Sequence, residues 1–64
     1  MSGEIKYYSK KKGFGIITSD SVDYFFRYTD IVGKKHKDCI KGEKVSFVPQ
    51  PHTRGLRAVE VMSV

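Results

Sequence analysis

The chain has 64 residues, with 12 Lys and Arg against 7 Asp and Glu and a net charge of +5. A chain this short buries only about 60% of its unfolded surface, which excludes a deep catalytic cleft beside a core and favours a flat or shallow binding face. The positive excess points to an acidic partner, with solubility as the bland alternative. The lack of any sustained 3.6-residue apolar period excludes an amphipathic membrane anchor.

Taken in chain order, Met1-Ser2-Gly3-Glu4-Ile5 lacks the charged and apolar regions of a secretory signal, and no apolar run reaches the length of a membrane span. Glu4–Tyr8 reads as a first strand, and Lys10-Lys11-Lys12 as a tight connection to a second strand, Gly13–Thr18. Ser19 to Val22 reads as a short hairpin loop before a third strand, Asp23–Tyr28. The stretch from Asp30 to Gly42 is long, basic and turn-rich, with room for one short helical turn. Glu43–Val48 and Leu56–Val61 are the fourth and fifth strands. Pro49 and Pro51 cannot donate to a central ladder, so Pro49–Gly55 reads as an exposed loop. Five short strands and no full helix give an all-β chain, one domain over residues 1–64, built as a small closed or nearly closed barrel.

Period-two alternation assigns the faces. In the third strand Arg27 faces solvent, which places Phe25 outside with it and Tyr24 and Phe26 inside. Val45 and Phe47 face in from the fourth strand, and Val59 and Val61 from the fifth. In the second strand Gly15 suits a crowded interior, so Phe14 and Ile16 face out and Ile17 faces in.

Two aromatic–basic clusters follow from this assignment. Lys10-Lys11-Lys12-Gly13-Phe14-Gly15 offers phosphate attraction, an aromatic face for stacking, and glycines that let a planar ligand approach. Tyr24-Phe25-Phe26-Arg27-Tyr28 repeats the theme. An exposed Phe beside an Arg is poor core design and good base-stacking design, so nucleic-acid binding is the leading reading.

These same residues carry a family resemblance. Lys12-Gly13-Phe14-Gly15-Ile16-Ile17 resembles the first ribonucleoprotein motif of cold-shock domains, and Tyr24-Phe25-Phe26-Arg27-Tyr28 followed by Thr29-Asp30-Ile31 resembles the second. Ile5-Lys6-Tyr7-Tyr8, Gly42-Glu43-Lys44-Val45-Ser46-Phe47 and Arg54-Gly55-Leu56-Arg57-Ala58 extend the match over nearly the whole chain. An RNA-recognition motif is a poorer match, because it needs two helices and carries its motifs in the reverse order. The resemblance implies a five-stranded antiparallel barrel of the oligonucleotide-binding (OB) type that binds single-stranded RNA and DNA on one outer face. By position, Tyr7, Phe14, Ile16, Phe25, Arg27 and Tyr28 map to the stacking platform, and Lys6, Lys12, His36 and Arg57 to its rim. Strict alternation would turn Tyr7 inward with Ile5. The resemblance turns it outward, which requires a bulge or strong twist near Tyr8.

The chain departs from the family at Tyr7, usually Trp, at Ile16, usually Phe, at Arg27, usually His, and at His36, usually a loop Phe. Arg stays charged at every relevant pH and stacks through its planar guanidinium. The expected consequence is affinity that leans less on stacking and more on phosphates than in acidic relatives.

The remaining chemistry is sparse. Cys39 is the single cysteine, so an internal disulfide is excluded and a reducing, cytoplasmic setting is expected. Cys39, His36 and His52 lack the paired spacing of a zinc site. Asp20, Asp23, Asp30 and Asp38 fall at turns and strand ends, where bonds to nearby backbone account for them. No cofactor, membrane or obligate protein partner is expected, and no catalytic residue is found. A monomeric, non-enzymatic nucleic-acid chaperone is the leading reading. A protein-interaction module or a structural barrel inside a ribonucleoprotein is the rival.

Overall fold

The computed structural model describes residues 1–32, 40–53 and 55–63. Five strands form a closed barrel: β1 (Ser2–Ser9), β2 (Phe14–Ser19), β3 (Val22–Arg27), β4 (Lys44–His52) and β5 (Gly55–Ser63), in the order β1-β2-β3-β5-β4. A 3-10 turn, Tyr28–Asp30, follows β3. The seam between β3 and β5 is parallel and rests on the pair Phe25–Arg57, with an isolated parallel bridge Ile31–Val61 beyond it. The other seams are antiparallel.

β2 and β3 are joined through Asp20 and Ser21, both with positive φ, 51° and 67°. Such a left-handed pair matches the twist of the flanking strands, and small polar residues tolerate it. Alternation then buries Tyr24 and Phe26 from β3, Ile17 from β2, Ile5 from β1, and Val45 and Phe47 from β4. Tyr24 and Phe47 meet at 4.9 Å inside the barrel. Tyr8 and Ile31 pack against this core from its edges.

Three features differ from simple alternation. On β1 the register passes from Ile5–Ile17 to Tyr7–Ile16, so Lys6 is an extra residue. That bulge lets Ile5 point in while Tyr7 points out, and it falls at Lys6, two residues before Tyr8. On β5 the register passes from Ser46–Met62 to Val48–Val59, and Glu60 takes φ 51°. This second bulge corrects the expectation for Val59: Ala58 and Val61 fill the core, and Val59 is only half-buried. Finally, Pro49–Gly55 is not a loop up to its tip. β4 runs to His52, with Pro49 opposite Ala58 and Pro51 opposite Leu56. Two prolines at i and i+2 occupy the non-hydrogen-bonded pairs of an antiparallel ladder, so their missing N–H groups remove no bond to β5.

Candidate nucleic-acid interface

The outer faces of β2 and β3 and the turn before β2 carry the site. Phe14 pairs with Arg27 and Ile16 with Phe25 across the β2–β3 seam, so these four side chains share one face. They line a shallow open depression together with Lys12, Gly13, Tyr28 and His52. Tyr28 is 53% exposed and Phe14 36%, whereas the intervening Phe26 is fully buried.

Local backbone fixes these positions. Gly13 has φ +73°, donates its N–H to the Ser9 carbonyl and accepts the Tyr28 N–H, both at 2.8 Å. A Cβ at Gly13 would lie 2.9 Å from Tyr28 Cδ1, so the glycine both makes the turn and makes room for the Tyr28 ring. Tyr7, turned outward by the Lys6 bulge and 43% exposed, stands 6.1 Å from Phe14 between ring centroids and extends the aromatic face beyond the depression.

The cations divide into two kinds. Lys12 and Arg27 are exposed at the depression, and among the described residues neither has a carboxylate partner. Lys6 Nζ lies 3.1 Å from Asp23 Oδ2, an exposed pair that contributes about 0–1 kcal/mol and can open to another anion. Arg57 is committed more firmly. Its Nε and Nη2 donate to the two oxygens of Asp30 at 3.2 and 2.9 Å. Asp30 is buried and also accepts the Arg27 backbone N–H at 3.0 Å. One carboxylate therefore joins the end of β3, the 3-10 turn that carries Tyr28, and β5. His36 lies outside the described residues.

Asp30→Ala removes all three bonds and leaves Arg57 without its partner. A cost of about 2 kcal/mol is expected, below that of a fully buried pair because Arg57 reaches solvent. A thermal melt would show this as a fall of about 10 °C in Tm. An unchanged melt would mean that the carboxylate does not hold this junction.

His52 is the site residue that alternation along the predicted strands missed. Its ring meets Phe25 at 5.0 Å between centroids with planes at 84°. The available signal was the pattern Val48-Pro49-Gln50-Pro51-His52, whose period of two puts the prolines on one side and Gln50 and His52 on the other. Among the described residues no three His, Cys, Asp or Glu side chains gather to hold a metal, and no helix is long and apolar enough to cross a membrane.

A small closed five-stranded barrel with an aromatic and basic outer face defines an OB-type fold. The chain belongs to the 'cold-shock' DNA-binding domain family, whose model matches residues 1–64. Proteins of this family are nucleic-acid binders rather than enzymes. The chain is similar to the major cold shock protein CspA of Pseudomonas aeruginosa, at 41% identity over 98% of this chain and 93% of that protein. It is 41% identical to a cold shock-like protein of Aquifex aeolicus, covering 92% of this chain and 87% of the relative. Identity to the cold shock-like protein CspC of Escherichia coli strain K12 is 33%, covering 100% and 96%. The barrel also superposes on the Drosophila Unr CSD456 structure with a TM-score of 0.74 at 18% identity, covering 98% of this chain and 26% of that one, a likeness of fold.

Proposed function

We propose that this protein binds single-stranded RNA and DNA without catalysis, as a cytoplasmic monomer, and acts as a nucleic-acid chaperone that influences transcription or translation. The observation that carries this reading is the grouping of Phe14, Phe25 and Tyr28 with Lys12 and Arg27 around one open depression. Exposed rings stack bases of any sequence, and they reach base faces only where the strand is unpaired. The two cations attract the phosphates that link those bases. Preferential binding of the open strand shifts a base-pairing equilibrium by mass action, so no nucleotide hydrolysis is needed. A footprint of roughly six nucleotides fits the range for such barrels.

Fluorescence anisotropy with labelled single-stranded and duplex oligonucleotides of one sequence, repeated across salt, tests the reading. At least tenfold preference for the single strand is expected, with a negative log–log salt slope. Lys12→Ala should make that slope shallower by about 0.7, one phosphate contact on a single strand. Equal affinity for duplex would sink the stacking mechanism.

A further inference from the structure

We propose that Phe25 and His52 form a corner that seats one base, a subsite separate from the outward pair Tyr7 and Phe14. The inference rests on the single-strand reading above and adds to it a site built by the β4–β5 hairpin. Four observations support the corner. The two ring planes stand at 84° with centroids 5.0 Å apart. Both residues line the same open depression. β4 continues to His52 instead of ending before Pro49, which carries the imidazole out along the hairpin beside β3. The residue paired with His52 on β5 is Gly55, which has no side chain to fill the space between.

Two perpendicular aromatic walls impose a geometry on a planar ligand. A base that lays its face on one ring turns its edge toward the face of the other. The first contact is stacking, and the second is the edge-to-face arrangement that aromatic pairs prefer. Base amino and imino groups at that edge add N–H···π contacts. Histidine suits the second wall because it is planar and small, and because a protein contact through one ring nitrogen leaves its face unchanged.

The subsite makes a prediction about strand length. Affinity for oligothymidines from three to eight nucleotides should rise and then level off once every subsite is filled. In His52→Ala the plateau should fall about fivefold and be reached about one nucleotide earlier, while the shortest strands bind as they do to the unaltered protein. His52→Phe, which keeps a planar wall, should restore most of the loss. Phe25→Ala should remove the same step, and adding His52→Ala to it should cost little more, because the two walls act on one base. In the unaltered protein the His52 ring signals should shift when a six-nucleotide strand is added. Unchanged affinity of His52→Ala at every length would overturn the subsite and leave the single-strand reading standing. An equal loss at every length would also overturn it, since His52 would then support the face as a whole. Failure of the unaltered protein to bind any oligothymidine would overturn the single-strand reading, and the subsite with it.

Discussion

Replacing Phe14 and Phe25 together with alanine is expected to weaken single-strand binding by at least about 30-fold while the barrel stays folded. Each stacked base contributes about 1–3 kcal/mol, so two platforms account for about 2–6 kcal/mol, or roughly 30-fold to 2 × 10⁴-fold in affinity. The fold survives because neither ring belongs to the interior. Ile5, Ile17, Tyr24, Phe26, Val45, Phe47, Ala58 and Val61 make the core, and Phe14 and Phe25 stand on the opposite face of their strands. Some stability is lost at Phe25, which is half-buried and packs on His52. About 1 kcal/mol is expected there, a few degrees in Tm. The measurement pairs anisotropy titration with a thermal melt. Phe26→Ala is the contrast, since it excavates the core and should cost about 3–5 kcal/mol of stability. Normal binding by the Phe14/Phe25 double variant would place the ligand on another face.

How much of this was legible in the sequence depends on which force sets each position. Where alternation alone decides, sequence and structure agree: Tyr24 and Phe26 are in, Arg27 is out, and Val45 and Phe47 are in. One face of every strand is buried, and a slip by one residue would expose all of its apolar side chains. Bulges break that logic, and they leave a weak trace in sequence. Lys6 carries no mark that it is an extra residue; only the resemblance required Tyr7 to turn out. Glu60 is a better-hidden case, because a glutamate with φ 51° is unusual, and Val59 beside it looks like a core residue. The prolines misled for a physical reason. Pro argues against a central strand, yet its cost falls only on positions whose N–H would bond, and β4 spaces its two prolines to avoid them.

The candidate site was legible in its rings and less so in its charges. Sequence shows how many cations a chain has, while pairing decides how many can meet a phosphate. The family resemblance maps Lys6 and Arg57 to the rim, and each faces an aspartate. Asp30 has the sequence position of a turn residue that bonds to nearby backbone, and it does accept the Arg27 N–H, but it also binds Arg57 from 27 residues away along the chain. No local pattern announces such a pair. Its effect is to brace the strand end and the turn that carry Arg27 and Tyr28, while it occupies the Nε and Nη2 donors of Arg57. The expected shift toward phosphate attraction therefore rests, among the described residues of the depression, on Lys12 and Arg27.

Gly15→Ala is expected to cost about 3 kcal/mol, enough to lower Tm by about 15 °C. By backbone propensity alone the change would stabilise the protein, since alanine loses less freedom on folding and Gly15 has no positive φ. Packing decides the sign. A Cβ at Gly15 would overlap the Tyr7 carbonyl oxygen and lie 2.7 Å from Tyr8 Cδ1 and 2.9 Å from Phe26 Cε1. The last two rings belong to residues paired with Gly15 on either side, and they stack at 5.6 Å with planes 12° apart. The missing side chain is the space those rings use. A side chain can turn away from a methyl group, but the Tyr7 carbonyl is backbone and can move only with β1, next to its bulge. Overpacking of this kind costs about 1–3 kcal/mol, occasionally more, against a total of about 3–10 kcal/mol for a chain of this size. Displacing the Tyr7 backbone also shifts the outward ring beside Phe14, so single-strand affinity should fall even in the molecules that remain folded. Gly42→Ala is the control. Nothing lies within 4 Å of a Cβ there, and its φ of +91° leaves only conformational strain, about 1 kcal/mol. Melts and titrations of the two variants side by side would separate the effects. Gly15→Ala should lose more stability than Gly42→Ala and should also lose binding. If Gly15→Ala melted at or above the unaltered protein, the Tyr8–Phe26 stack would not be the reason for a glycine at this position.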